Sequence, residues 1–394
     1  MKLSSWTTSF LAAMLSASAA YAASPVANVY VPTQSGIHAY SASAAGKLTE
    51  IKGSPFKQTV GLAIASNQSY FITLGTNLVH SYKVGADGSI GAQVSQIDTR
   101  LYSGSECGTT NGATLDHTGK YLYVRMDVSE LNIPCRVYQT YAVGNAGTLT
   151  FVGVSDDISH VGMPGQTPLD IAGNNQHAYS APEWAANYTT PASGCNPYLD
   201  SFSFGATGAL GFSTHGGGIY GPTANPAGGG SLPPVPWLIT NDPTDHLAIA
   251  VFDSTNVNNG PGCGIGAPIQ LASFTVDIDG NITSTNTWEN MPTLSGATSL
   301  RLNKAGTVLA VATGPGVELF HFNADQPITP FTGILGATGS ITKMDWDTSN
   351  HLYALNGPTG TLHIYNVTAA GATETAGAPY TLPVGASNVL AVSK

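Results

Sequence analysis

Val79-His80-Ser81-Tyr82, with Gly88 six positions after the tyrosine, is the stretch that decides the fold. Apolar and small polar residues lead to a terminal aromatic, as in a half-buried strand, and the glycine supplies a turn into a returning strand. The phrase recurs seven times. Its copies are Ile37-His38-Ala39-Tyr40 with Gly46, Val79 to Tyr82 with Gly88, Tyr138-Gln139-Thr140-Tyr141 with Gly147, and Leu199-Asp200-Ser201-Phe202 with Gly208. Leu271-Ala272-Ser273-Phe274 with Gly280, Glu318-Leu319-Phe320 with Gln326 in the glycine's place, and Leu362-His363-Ile364-Tyr365 with Gly371 complete the set. One such hairpin says little, but seven in phase read as a repeat architecture.

Upstream of most copies lies an apolar strand, a polar turn and a second apolar strand. Thr114-Leu115, then Asp116-His117-Thr118-Gly119, then Lys120-Tyr121-Leu122-Tyr123-Val124 is one case. Ser299 to Leu302 before Val308 to Val311, and Ile341 to Met344 before His351 to Ala354, are others. Each unit therefore has four antiparallel strands, and a lone unit of that kind cannot bury both its faces. The prediction is an all-β, seven-bladed β-propeller of four-stranded antiparallel blades. Asn28-Val29-Tyr30-Val31 is a second strand with no first strand before it, and Asn388 to Val392 is a first strand with nothing after it. Blade 1 should therefore be closed by three strands from the N-terminal segment and one from the C-terminal segment, which covers the sheet edges.

Composition agrees. Of 394 residues 46 are glycine and 24 proline, only 9% are charged, and no helical periodicity follows the first 25 or so positions. Lys2, the apolar run Phe10-Leu11-Ala12-Ala13-Met14-Leu15 and Ala20-Tyr21-Ala22 have the form of a secretory signal. Residues 1–22 are expected to be removed near Ala22, leaving 23–394 as a secreted or periplasmic propeller. No later segment is long and apolar enough to insert in a membrane. A net charge of −10 with 13 Lys and Arg excludes nucleic acid as a natural partner. A monomer is the default state. No cofactor or metal is expected: Asp277-Ile278-Asp279-Gly280-Asn281 occupies a hairpin turn, and Gly262 to Ala267 lacks the strand and helix of a dinucleotide site.

The repeats are unevenly spaced. Tyr40 and Tyr82 are 42 residues apart, whereas Phe202 and Phe274 are 72 apart. Insertions fall in blades 3 to 5, between the second and third strands (127–134, 183–197, 253–268) and before the first strand (98–112, 214–236). Both kinds of connection emerge on one face, so that face carries long loops while the other keeps tight turns. All four cysteines lie in these loops. Three pairings are possible in an exported chain, and loop positions favour Cys107–Cys135 and Cys195–Cys263.

Gly46-Lys47-Leu48-Thr49-Glu50-Ile51-Lys52-Gly53-Ser54-Pro55-Phe56 resembles the blade-ending segment of lactonase-family seven-bladed propellers, and Thr118 to Val124 looks like their recurring turn and second strand. That group includes propeller-type 6-phosphogluconolactonases and muconate-lactonizing enzymes. The resemblance implies a lactonase or cyclase that opens or closes a lactone ring. The family often carries His, sometimes with Arg, where the first strand meets the central channel. The matching positions here are Asn111-Gly112, Thr167-Pro168, Trp237-Leu238, Thr298-Ser299 and Thr342.

Because none of these is His or Arg, the expected role is binding of a small-molecule or carbohydrate ligand on the loop-rich face of blades 3 to 5, with lactone chemistry as the alternative. His160 and His215 are the histidines expected on that face, and a loop imidazole can act as general base on an ester ring. Arg125, Arg136, Glu106, Asp127 and Glu183 are the nearby charges that could hold a carboxylate or sugar. Trp184, Tyr188 and Trp237 could stack on one. His38, His80 and His363 share one position in the third strand, and His117, His177, His246 and His351 lie at turns, so all seven are expected to be structural. Non-reducing peptide mapping of the exported protein should find Cys107 linked to Cys135 and Cys195 to Cys263. A Cys135–Cys195 bridge overturns that pairing.

Overall fold

The computed structural model describes residues 24–58, 61, 63–67, 69–102, 109–127, 136–155, 169–173, 176–180, 200–215, 219–220, 235–252, 269–336, 339–383, 385–386 and 390–393. They form seven antiparallel sheets, each built on four strands. Blade 1 has Ala391–Ser393 innermost, then Ala27–Thr33, Gly36–Ala42 and Leu48–Glu50. Val392 pairs with Val29, so three strands from one end of the chain and one from the other close the ring as expected. The closing strand begins a few residues later than the sequence suggests.

The other innermost strands are Ala63–Ser66, Thr109–Leu115, Asp170–Ile171, Val235–Asn241, Ser299–Leu302 and Lys343–Trp346. Neighbouring sheets bury their apolar faces against each other. Ala248, Ala250 and Leu271 of blade 5 pack on Leu300, Leu302 and Leu309 of blade 6, and Val29 and Val31 of blade 1 pack on Tyr353 and Leu355 of blade 7. Ile219–Tyr220 adds a short parallel strand outside blade 5, covering its outer edge.

A polar lock joins successive blades. The hydroxyl of Tyr30 in the second strand of blade 1 donates to the carbonyl of Gly88 in the hairpin turn of blade 2 at 2.9 Å. Tyr123 reaches Gly208 of blade 4 at 3.1 Å, and Tyr179 reaches Gly280 of blade 5 at 3.0 Å. Where the second strand has Ile72 or Ala248, the residue paired with it across the sheet takes over. Ser81 donates to Gly147 at 2.6 Å and Ser273 to Gln326 at 2.7 Å. Four of the turn glycines picked out by the repeat, and Gln326 in a glycine's place, are thus acceptors for the preceding blade. At Gly208, φ is +81° and a Cβ would stand 2.4 Å from the Tyr121 ring, so both conformation and contact demand glycine.

These bonds are buried, and removing one donor leaves a carbonyl desolvated without a partner. Tyr179→Phe should therefore cost about 1–3 kcal/mol. Urea denaturation should show a lower midpoint at unchanged slope. Equal stability of the variant contradicts the lock.

Candidate functional site

The innermost strands alternate between residues packed in the sheet interfaces and residues set beside the channel. The position two before the first turn is Thr114, Asp170, Thr240, Arg301 and Asp345 in blades 3 to 7, paired in turn with Tyr123, Tyr179, Ala248, Ala310 and Tyr353. Most of this layer is tied to the next blade. Thr114 Oγ1 donates to Leu169 O at 3.1 Å, and Asn241 Nδ2 donates to the Asp170 carboxylate. Leu302 N donates to Thr240 Oγ1 at 3.4 Å and Val392 N to Asp345 Oδ2 at 3.3 Å. Trp346 Nε1 donates to Arg301 O at 3.1 Å, which anchors the backbone from which the guanidinium extends. Lys343 lies two residues before Asp345 and so on the same side of its strand.

Arg301 acts electrostatically on Asp170 of blade 4 and on Lys343 of blade 7. Lys343 stands on the neighbouring innermost strand, whereas Asp170 lies two blades back, on the far side of blade 5. Asp170, Arg301, Lys343 and Asp345 keep part of their surface open, yet the channel walls crowd them with protein. Burial pushes the Asp170 carboxyl up to about 6, against the pull of Arg301, His117 and the Asn241 bond. Burial also takes the Lys343 ammonium down to about 8, with Arg301 adding to the effect and Asp345 opposing it. Both groups can therefore exchange a proton near neutral pH, beside a fixed cation able to hold a carboxylate or a developing oxyanion. Among the described residues no cluster of three or more His, Cys, Asp or Glu could hold a metal ion.

Of the site residues singled out from sequence, only Arg125 has its side chain among those described. Arg125 is buried in the second strand of blade 3, opposite Gly112 and Tyr138. It shares a sheet face with Tyr123, which packs on Ala178 and Phe202 of blade 4, so Arg125 is wedged between two blades. Arg136 and Asp127 pair across the second and third strands at the loop end of that blade. Trp237 sits in a bulge between Pro236 and Leu238, and His215 ends the outermost strand of blade 4 opposite Asp200. The side chains of Arg136, Asp127, Trp237 and His215 lie outside the described residues, as do Glu106, His160, Glu183, Trp184, Tyr188 and all four cysteines.

Several other histidines bond within the scaffold. His38 and His363 pair with Glu50 and Glu374 at 2.9 and 2.8 Å, His80 meets Gln93 at 3.1 Å, and each ring stacks on the tyrosine two residues on. His117 and His177 meet the Ile171 and Ile278 carbonyls of the next blade at 2.7 and 3.1 Å. In blade 7 the fully buried Asp347 accepts from His351 Nδ1 at 2.7 Å and from the Tyr353 hydroxyl at 2.9 Å.

The channel charges fall just beyond Thr298-Ser299 and Thr342, the positions at which the family resemblance places His or Arg. Arg301 and Lys343 stand one to three residues further along. The available signal was alternation: Leu300-Arg301-Leu302 and Lys343-Met344-Asp345-Trp346 place charges on one side of otherwise apolar strands, in a chain with 9% charged residues.

No protein-family model matches the sequence, and no curated protein matches it. Solved structures do share its architecture. A protein from Lactobacillus plantarum superposes with a TM-score of 0.61 at 14% identity, over 93% of this chain and 99% of its own. A periplasmic gluconolactonase from Pseudomonas aeruginosa also gives 0.61 at 14% identity, over 93% and 98%. A putative 6-phosphogluconolactonase from Bacteroides fragilis gives 0.58 at 12%, over 94% and 99%. At these identities the likeness is one of fold: this chain is built like the 6-phosphogluconolactonase-like seven-bladed propellers.

The Asp347 site carries a pH signature. Burial alone would raise this carboxyl, but the side-chain and backbone hydrogen bonds of His351, its charge and the Tyr353 hydroxyl outweigh burial and hold it below the usual range. A depressed folded value stabilises the protein above the unfolded value of about 4, and that contribution disappears as pH falls through the folded value. Asp347→Ala should cost roughly 3 kcal/mol or more at pH 7, with the gap from wild type closing toward pH 3 in thermal melts. A gap independent of pH counts against this account.

Proposed function

We propose that the protein is a lactonase-type propeller acting outside the cytoplasm, whose channel takes a small sugar acid or the lactone of one. The observation that carries this reading is the placement of Asp170, Arg301 and Lys343 on the innermost strands of blades 4, 6 and 7, where Arg301 bears electrostatically on the other two. A guanidinium there suits a carboxylate through two parallel hydrogen bonds, and equally the oxyanion that forms on a lactone carbonyl. Asp170, with its carboxyl at about 6, is ionised at pH 7 and still basic enough to take a proton.

In the hydrolysis, water gives a proton to Asp170 as its oxygen bonds to the lactone carbonyl carbon. The bond from that carbon to the ring oxygen then breaks, the ring oxygen takes the proton from Asp170, and a hydroxy acid leaves. The Pseudomonas aeruginosa gluconolactonase and the putative Bacteroides fragilis 6-phosphogluconolactonase, which share the fold, favour a sugar lactone as the substrate class. The signal-like N-terminus ending at Ala22 and the periplasmic neighbour support export. The long connections over blades 3 to 5 would frame the channel mouth on their side, with Arg136, Trp184, Tyr188 and Trp237 adding ligand contacts.

A second reading is ligand binding without turnover on that loop-rich face, favoured by the absence of His and Arg at the strand entries Thr298 and Thr342. In its catalytic variant His160 or His215 serves as base. The readings separate in one assay, hydrolysis of glucono-δ-lactone and a lactone panel by wild type, Arg301→Gln, Asp170→Asn, His160→Ala and His215→Ala. Arg301→Gln should lower kcat/KM by about 10²–10³-fold and Asp170→Asn by about 10²-fold or more, with both histidine variants close to wild type. Wild-type activity should fall as pH drops below about 6, where Asp170 takes up its proton. Full activity in both channel variants overturns the proposal. Sugar-acid binding without any turnover leaves the binding reading.

A further inference from the structure

At the junction of blades 7 and 1 the Tyr353 hydroxyl goes to Asp347 instead of a turn carbonyl, and the junction between blades 6 and 7 has no hydroxyl at either lock position. The second strand of blade 6 carries Ala310 and its cross-strand partner is Leu319, so neither offers a hydroxyl to the hairpin turn of blade 7. At Gly46, Gly88, Gly147, Gly208 and Gly280 a Cβ would meet the preceding blade at 2.4–2.7 Å, but at Gly371 nothing lies within 4 Å. The space left there is a slot of about 240 Å³. Asn303, Asn350, Thr368 and Ala369 put it beside the tight turns of blades 6 and 7.

The slot has a built interior. The His321 ring stacks on Phe331 with centroids 4.2 Å apart and planes inclined by 36°, making an aromatic plate. Asn303 Nδ2 donates to Asn350 Oδ1 at 2.9 Å, which fixes the Asn350 amide across the opening. Asn303 is itself held, its Oδ1 accepting from Thr307 N and Val308 N at 2.8 and 3.0 Å. Asn350 Nδ2 and the His321 ring nitrogens form no hydrogen bond to other described residues. Asn350 and His321 both line the slot, and so bring a donor and a donor–acceptor to its wall. Thr307 and Thr368 add hydroxyls at the rim, and no Asp, Glu, Lys or Arg lines the slot.

The geometry points to a subsite for one ring of a neutral carbohydrate, distinct from the channel. Drug-sized ligands occupy about 300–1,000 Å³, so a slot of about 240 Å³ fits a single ring. The C–H face of a pyranose packs on Phe331 as other apolar groups pack on aromatic rings. Its hydroxyls accept from Asn350 and exchange hydrogen bonds with His321. A slot without charge selects against sugar acids, which are the ligands assigned to the channel.

Saturation-transfer NMR on the intact protein tests the site with methyl glycosides of glucose, galactose and mannose and with N-acetylglucosamine as probes. At least one should bind in the millimolar range with its ring protons against the protein. Phe331→Ala removes the plate, and Ala369→Trp fills the slot from its exposed rim without removing any packing. Each should weaken that probe about ten-fold or more, while Arg301→Gln should leave it unchanged and both slot variants should keep the wild-type response to channel ligands. No signal from any probe overturns the inference. So does binding that survives Ala369→Trp, or binding lost only in Arg301→Gln, which would place the probe in the channel.

Discussion

A four-stranded blade has two apolar faces and two open edges, and every other feature of this protein depends on how those are covered. The faces are covered by stacking, as Leu300 and Leu302 are by Ala248 and Ala250. Stacking alone is non-directional and would allow blades to slide. The hydroxyl from Tyr30, Ser81, Tyr123, Tyr179 or Ser273 to a turn carbonyl of the next blade removes that freedom, because one donor and one acceptor meet at a single offset. The closing strand at Ala391–Ser393 extends the same constraint around the circle.

Fixed offsets bring the innermost strands into one layer. Residues two positions before the first turn occupy one layer of the innermost strands, so Arg301 comes within electrostatic reach of Asp170 although more than a hundred residues separate them in sequence. Crowding by the channel walls moves the Asp170 carboxyl and the Lys343 ammonium toward neutrality from opposite sides. Arg301 opposes the first shift and adds to the second, since a cation favours an ionised carboxylate and disfavours an ionised amine. The same ring that gives stability therefore produces groups suited to proton transfer. Where neither lock position carries a hydroxyl, between blades 6 and 7, it leaves a slot lined by neutral polar groups.

The architecture was legible in the sequence because its signals are local. An aromatic followed at six positions by a turn glycine needs only the period of a strand and the left-handed φ of a tight turn, and Gly88, Gly147, Gly208 and Gly280 all have φ between +81° and +85°. Seven repeats and two unmatched ends then determined the ring and its closure. The structural roles of His38, His80 and His363 were legible for the same reason, since each lies at a repeated position beside a repeated tyrosine. Two consequences of the repeat were not visible: that four of the turn glycines accept hydrogen bonds from the preceding blade, and that serines stand in where a tyrosine is missing.

The candidate site belonged to tertiary structure alone. Arg125 reads in sequence as a strand-end charge aimed at the loops, but its sheet face turns it into the interface of blades 3 and 4. Arg301 and Lys343 read as ordinary strand residues until the ring sets Arg301 within electrostatic reach of both Asp170 and Lys343. The sequence by itself determined the number of blades and the split first blade, both consequences of period and turn chemistry along the chain. Which charges meet, how far their protonation shifts and where a blade junction stays open depended on distances between blades. Those distances follow from closing the circle, and no single repeat contains them.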